Sequence, residues 1–237
     1  MKIENTTILI TGANRGIGQG LVEEALKRGA KRVYAGTRVP LTHPDERVIP
    51  LMLDVTDKAQ VLDAAAKIES LDILINNAGI AFYDDDLSNE SVLQKSLEVN
   101  LFGTNNVTQS FLPKLIYSKG AIVNNLSVLA LAPLPLIPSY SVSKAAAFSL
   151  TQSLRALLAN KGVSVHAVMI GPTDTDMNRG LDIPKNTVEA TAQGIFDGVE
   201  NEEEEIFPDP ISASIAEGWN GSIAKAMERQ NAAFVTA

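Results

Sequence analysis

The chain contains no cysteine. Disulfides and thiolate metal centres are therefore excluded. Histidine is nearly as scarce. His43 and His166 are the only two, too few to build a histidine-rich metal centre. No apolar run reaches the ~20 residues of a membrane span, and Met1-Lys2-Ile3-Glu4-Asn5 lacks the form of a signal peptide. The expectation is a soluble, cytoplasmic protein without a membrane partner. An excess of basic charge is missing too. Lys and Arg total 20 against 28 Asp and Glu, a net charge of −8, which argues against nucleic acid or an anionic membrane as the main partner. No repeat, low-complexity block or linker divides the 237 residues, so one domain over 1–237 is expected.

What is present is an alternation of strand and helix signals. Thr6-Thr7-Ile8-Leu9-Ile10 is β-branched and apolar, and reads as a buried strand. Thr11-Gly12-Ala13-Asn14-Arg15-Gly16-Ile17-Gly18 follows at once. Leu21, Val22, Ala25 and Leu26 then recur at helical spacing up to Arg28. Glycines in that context let the backbone turn tightly and approach a pyrophosphate resting on the helix N-terminus. The spacing is G-x-x-x-G-x-G rather than G-x-G-x-x-G, and no Gly-Lys-Ser/Thr follows, so a Walker A loop is excluded.

Lys31–Gly36 reads as the second strand. About 20 positions past the glycines an acidic residue would hold the adenosine ribose of NAD. None is there. Arg38 stands in its place, and Arg15 lies inside the glycine loop. Guanidinium groups suit the extra 2′-phosphate of NADP. NADP(H) is therefore preferred, with NAD(H) possible; the plainer alternative is a pair of solvated arginines.

Val48–Leu53 reads as the third strand, with Pro50 its weak point. Asp54-Val55 ends it, and Asp54 either meets an adenine amino group or merely terminates the strand. Asp57 and Gln60 resemble a capping box opening a helix to about Glu69. Leu71–Ile75 is the fourth strand, followed by Asn76-Asn77-Ala78-Gly79, which tolerates the tight backbone of a cofactor site or of a plain turn. Asp84-Asp85-Asp86 reads as a solvated loop. Glu90 to about Ile116 reads as one long helix, its apolar character interrupted by Asn100 and Asn105-Asn106. Ala121–Leu126 is the fifth strand.

Ser127 follows that strand, at the sheet edge where open α/β folds bind ligands. Tyr140 and Lys144, four apart, share a face of the next helix, expected from Tyr140 to about Lys161. A free phenol has a pKa near ~10. A lysine cation close by would favour the phenolate and lower that value. A serine hydroxyl can hold a carbonyl oxygen against the phenol. Such a trio exchanges a proton at oxygen while a cofactor moves hydride at carbon, because no side chain carries hydride. As an isolated pair, Tyr-x-x-x-Lys would read as an exposed helix pair.

Val163–Ile170 reads as the sixth strand, with His166 as a core or cross-strand residue. Gly171-Pro172-Thr173-Asp174-Thr175-Asp176-Met177 breaks it at the same sheet edge and opens a candidate lid near 171–186. Asn186 with Glu189 resembles a second capping box, for a helix to about Val199. Glu202–Glu205 reads as a solvated turn, and Ile206-Phe207 as a short seventh strand. The C-terminal segment, 208–237, shows only loose helical spacing from Ile211 to Met227.

The alternation gives an α/β fold with a doubly wound parallel sheet, three layers deep. The ordered motifs resemble the short-chain dehydrogenase/reductase family, in its short single-domain branch. They are Thr11-Gly12-x-x-x-Gly16-x-Gly18, Asn76-Asn77-Ala78-Gly79, Asn100, Ser127 and Tyr140-x-x-x-Lys144, in register from Thr6 to about Met177. The resemblance implies the strand order 3-2-1-4-5-6-7. It implies Tyr140 as acid/base, Ser127 as carbonyl anchor, and Lys144 on the nicotinamide ribose. Asn100 would shape its helix and help hold a proton-relaying water. Asp54-Val55 would contact adenine, and Asn77-Ala78-Gly79 the adenosine and ribose side. Gly12, Asn14, Arg15, Gly16, Ile17 and Gly18 would form the pyrophosphate turn with Arg38 beside it. Gly171, Pro172, Thr173 and Thr175 would close the nicotinamide side, although Ile170-Gly171 replaces the usual Pro-Gly. A homodimer or homotetramer built on the two long helices is implied as well.

The expected activity is an NADP(H)-dependent oxidoreductase acting on a carbonyl or alcohol carbon. The rivals are a non-catalytic dinucleotide-binding sensor or scaffold, and a nucleotide-sugar epimerase or dehydratase, which the missing ribose acid disfavours. Leu129, Leu131, Pro133, Leu134, Leu136 and Ile137, joined by Tyr83 and Met177, either line an apolar substrate pocket or pack beneath the loop.

Overall fold

A computed structural model of the chain describes residues 1–84 and 87–236. Seven parallel strands form one sheet in the order β3-β2-β1-β4-β5-β6-β7. They are β1 (Thr7–Thr11), β2 (Arg32–Thr37), β3 (Val48–Met52), β4 (Ile73–Asn76), β5 (Ala121–Asn125), β6 (Ser164–Val168) and β7 (Glu205–Ile206). The expected architecture and strand order are both present. The central strands are buried on both faces, which is why they read as continuous apolar runs rather than alternating ones. Pro50 sits in β3 opposite Ala35 of β2. β3 is an edge strand, so the missing N–H breaks no second ladder.

Side chains alternate across the sheet and seed two cores. Ile8 and Ile10 point to one face, where α1 (Gly16–Lys27) and α6 (Val188–Glu200) bring Leu21, Val22, Ala25, Ile195 and Phe196. Leu9 and Leu74 point to the other. There α4 (Thr104–Ser118) and α5 (Pro138–Leu158), with α2 (Lys58–Lys67), supply Val107, Phe111, Leu115 and Leu154.

Local differences from the sequence expectation have identifiable causes. Asp57 caps α2 by accepting from the N–H groups of Ala59 and Gln60. The reciprocal arm goes elsewhere: the Gln60 side-chain oxygen accepts from Asp54 N–H at 3.0 Å. The long helix is α3 (Glu90–Leu97) and α4 joined through a π-helical stretch at Glu98–Gly103, which contains Asn100. Asn186 does not cap α6. Thr187 does, accepting from Ala190 N–H, while the Asn186 backbone pairs with Pro172 and Asp174 and so joins the two ends of the segment 172–186.

The four-glutamate run is only partly a solvated turn. Glu205 lies in β7 and its side chain is 1% exposed. It meets Arg155 of α5 and Lys225 of α8 (Ile223–Thr236), each at 2.8 Å. Lys225, also 1% exposed, reaches Glu204 and Glu228 at 2.8 and 3.0 Å. Composition alone hides this cluster, because its basic members lie 50 residues before and 20 after the glutamate in sequence. The tail forms two helices, α7 (Pro210–Asn220) and α8. Asp209 caps α7 in a full capping box with Ser212 and also accepts from Gly171 N–H at 2.7 Å. His166 is buried in β6 as expected, with Nδ1 against the Glu203 carbonyl. Asp84, read as part of a solvated loop, is instead half-buried and bound to Ser139; Asp85 and Asp86 lie outside the described residues. Among the described residues no helix is long and apolar enough to cross a membrane.

Candidate active site

The strand order reverses between β1 and β4, and the C-terminal ends of the strands open there onto a cleft of about 1260 Å³. Every residue of the expected catalytic and cofactor sets borders it except Asn100, which stands behind the wall.

The glycine turn is held from beneath. Gly12 (φ +66°) and Gly16 (φ +52°) occupy the left-handed region that glycine tolerates best. A Cβ on Gly18 would collide with the Gly12 carbonyl and lie 2.6 Å from the Asn77 amide nitrogen. Asn77 Nδ2 donates to the carbonyls of Thr11 and Gly12, at 2.9 and 3.2 Å. Thr11 Oγ1 in turn accepts from the N–H groups of Asn77 and Ala78, each at 3.0 Å. The Asn77 side chain therefore braces the turn, while its backbone faces the cleft with Ala78 and Gly79. Helix α1 begins at Gly16 without a side-chain cap. Its first N–H groups are left for an anion.

Arg38 is exposed on the cleft just beyond β2 and makes no ion pair among the described residues. Arg15 reaches across to Asp176, in the segment after β6, at 3.3 Å. Thr175 lies over the turn, its methyl 3.2 Å from where a Gly16 Cβ would stand. The Asp54 carboxylate accepts from Thr56 N–H and Oγ1 at 2.9 and 2.7 Å and ends the strand, while the residue still borders the cleft beside Val55. Gly171 is glycine for a packing reason: a Cβ there would strike the Asp209 carboxylate. It borders the cleft with Pro172 and Thr173.

Ser127 extends β5, and Tyr140 and Lys144 rise from the first turns of α5, which starts at Pro138, two residues earlier than expected. The Ser127 side chain stands beside the Tyr140 hydroxyl, placed to hydrogen-bond with its phenolate. Ser127 Oγ also accepts from Leu129 N–H at 3.2 Å. Lys144 Nζ donates to the Asn125 carbonyl at 2.8 Å and lies 5.6 Å from the centroid of the Tyr140 ring. The trio is assembled on one wall of the cleft.

Its electrostatics differ from the expectation of a lowered phenol. Burial pushes Tyr140 up to about 12, against the opposing effect of the Ser127 hydrogen bond. Burial also pulls Lys144 down to about 8. Desolvation is the leading cause at both groups, and the Lys144 ammonium is turned to the Asn125 carbonyl.

Asn100 is buried in the π-helical stretch, a common device for turning a side chain at a functional site. Its Oδ1 accepts from Ile80 N–H, and its Nδ2 donates to the Ile80 carbonyl and to Ser143 Oγ, all at 2.9 Å. Gly79 separates it from the lysine: a Cβ there would stand 3.2 Å from Asn100 Oδ1 and 3.6 Å from Lys144 Nζ.

Sequence reasoning missed Asn125, Ser143 and Phe82. Asn125 carries the lysine on its carbonyl and donates from Nδ2 to Asn77 Oδ1 at 3.0 Å. An amide ending an apolar strand was the available signal. Ser143, one turn beyond Tyr140, had the helical spacing to be found. Of the apolar set, Leu129, Leu134, Leu136, Ile137, Tyr83 and Met177 border the cleft, joined by Phe82, Leu181 and Ile183. Leu131 instead packs with Leu126, Ala147 and Phe148 beneath the loop.

Residues 6–186 match the family model for short chain dehydrogenases. Estradiol 17-beta-dehydrogenase 2 of Mus musculus is 33% identical over 77% of this chain. The chain spans about half the length of that relative, 52%. An uncharacterized oxidoreductase of Staphylococcus epidermidis is 29% identical over 84% of this chain and 90% of its own. Among solved structures, a short chain dehydrogenase from Burkholderia cenocepacia, in complex with NADP, superposes with a TM-score of 0.89 at 37% identity, covering 97% of this chain and 98% of that one. Together with the parallel sheet, the glycine turn and the serine–tyrosine–lysine wall, these likenesses place the chain in the short-chain dehydrogenase/reductase family.

Proposed function

We propose that the protein is an NADP(H)-dependent oxidoreductase that interconverts a carbonyl compound and an alcohol, with Tyr140 as the acid/base. The observation that carries this reading is the convergence of Ser127, Tyr140 and Lys144 on the wall of a cleft floored by the glycine turn. The residues fit a dinucleotide. Gly12, Gly16 and Gly18 let the turn pack tightly where a Cβ would meet Ala78, Thr175 or the Gly12 carbonyl, α1 starts without a side-chain cap, and Arg15 and Arg38 would flank the adenosine end. No acidic side chain stands at the position of Arg38 to favour a free ribose hydroxyl. The Burkholderia relative with NADP bound supports the same cofactor.

When bound, the cofactor supplies or accepts the hydride. The chain's own residues do the rest. Ser127 Oγ holds the carbonyl oxygen beside the phenol. Tyr140 gives its proton to that oxygen as charge develops on it, and a phenol raised to about 12 stays protonated for this task at neutral pH. In the reverse direction the phenolate takes the alcohol proton. Lys144 orients the site from the Asn125 carbonyl, and Asn100 fixes the loop that carries Gly79. Proximity and fixed dipoles lower the barrier. The apolar rim, with Leu129, Leu134, Leu136 and Phe82, suits an aliphatic, aryl or terpenoid-like substrate. Exposed Phe102, Tyr117 and Leu157 on and beside the long helices supply the surface for a homo-oligomer.

The test is a spectrophotometric NADPH-oxidation screen across diverse ketones and aldehydes, run in reverse with alcohols that include estradiol. Turnover of any class supports the reading. Tight NADPH binding without turnover of the whole panel points to a sensor. Arg38→Asp tests the cofactor: it weakens NADPH more than NADH, and equal weakening removes Arg38 from the phosphate site.

A further inference from the structure

We infer that Asp84 is a positioning residue for the phenol: from the loop after β4 it caps the helix that carries Tyr140, and so ties one rim of the cleft to the acid/base. The role of Tyr140 is taken from the proposed function; the cap is independent of it.

The first turn of α5 lacks a local cap. Its N-cap residue is Ile137, whose side chain accepts nothing, and Pro138 follows. The first N–H needing a partner belongs to Ser139, which is wholly buried, out of reach of bulk solvent. Asp84 Oδ2 takes that N–H at 3.3 Å and also accepts from Ser139 Oγ. A carboxylate at a helix N-terminus gains from both charge-assisted bonding and the helix dipole. Tyr140 is the next residue.

The arrangement costs more than a simple cap requires. The second oxygen, Asp84 Oδ1, is buried with no hydrogen-bond partner among the described residues. Burying an unpaired carboxylate oxygen is unfavourable. A serine or asparagine at position 137 would cap the helix locally without that cost. What the remote carboxylate adds is linkage across 55 residues. The loop residues before it, Ile80 to Tyr83, border the cleft, and Ile80 is held at its other end by Asn100. The rim against which a substrate would lie is thereby fixed to the turn that presents the phenol.

The experiment compares Asp84→Ala and Asp84→Asn in the full chain. Four quantities are measured: kcat, KM for a carbonyl substrate, the NADPH dissociation constant by fluorescence, and the tyrosinate absorbance titration, with Tyr140→Phe used to assign the Tyr140 transition. Asp84→Ala is expected to lower kcat by about ten- to a hundredfold, the scale of a small misplacement of a reacting group. NADPH affinity stays within about twofold, because no residue of the glycine turn meets Asp84. The Tyr140 transition falls from about 12 toward its ordinary value as water enters the frayed turn. Asp84→Asn, whose amide oxygen still accepts both hydrogens, restores most of kcat and the high transition. Parent-like kcat and titration in Asp84→Ala overturn the inference. So does a loss of NADPH affinity as large as the loss of kcat, which marks general damage. If the parent itself turns nothing over, the functional reading fails, and the titration alone still decides whether Asp84 holds the turn.

Discussion

Replacing Tyr140 by phenylalanine removes one oxygen and leaves the ring, so the predicted outcome separates chemistry from folding. The ring is buried, 9% exposed, in the first turn of α5, and phenylalanine keeps that packing. The lost hydroxyl stood beside Ser127, which retains its contact with Leu129 N–H. No buried group is orphaned, so the stability cost is that of one neutral hydrogen bond, about 1 kcal/mol or less. Removal of a positioned proton donor costs roughly 10²–10⁴-fold in turnover, or about 3–5 kcal/mol of barrier. The activity loss must therefore exceed the stability loss several-fold in free energy. The assay follows NADPH oxidation at saturating carbonyl substrate beside NADPH binding and urea denaturation of the same sample. Near-parent binding and stability with turnover down at least about a hundredfold is the expected pattern. Turnover within a few-fold of the parent would refute the assignment, and collapse of binding and stability together would show the hydroxyl to be structural.

Lys144, lowered to about 8 by burial, is charged below that pH and neutral above it. If its cation is needed, kcat/KM for reduction falls as pH rises through about 8, while Tyr140 at about 12 keeps its proton throughout; a flat profile to pH 10 or so would remove the lysine charge from the mechanism. Gly18→Ala drives a Cβ into the Gly12 carbonyl and against Asn77 Nδ2. It should cost about 3 kcal/mol in urea unfolding and weaken NADPH binding, and an unchanged midpoint would show that the turn yields freely. Lys225→Met leaves Glu205, Glu204 and Glu228 around Arg155 alone; breaking a buried ion set costs about 3 kcal/mol, and a loss under about 1 kcal/mol would mean that Arg155 suffices.

What was legible in the sequence follows the range over which each signal acts. Strand, glycine turn and helix are local patterns, so β1 and α1 were readable, while the sheet order came only from the family resemblance; Ser127, Tyr140 and Lys144 meet because their spacing is fixed by one strand end and one helix face. The misreadings share a different cause: a charge written beside other charges was assigned to solvent. Glu205 and Asp84 both sit in acidic runs, yet one is buried against Arg155 and Lys225 and the other against Ser139. Their partners lie 50, 20 and 55 residues away, beyond any window in which periodicity speaks. The phenol was misjudged for a related reason. A lysine four residues away in sequence suggested attraction and a lowered pKa, but burial is a property of the assembled fold, and it moved Tyr140 up and Lys144 down. A phenol that holds its proton until about pH 12 is poised to donate rather than to abstract. Under the proposed function, such a phenol gives its proton to a carbonyl oxygen more readily than its neutral form could take one from an alcohol.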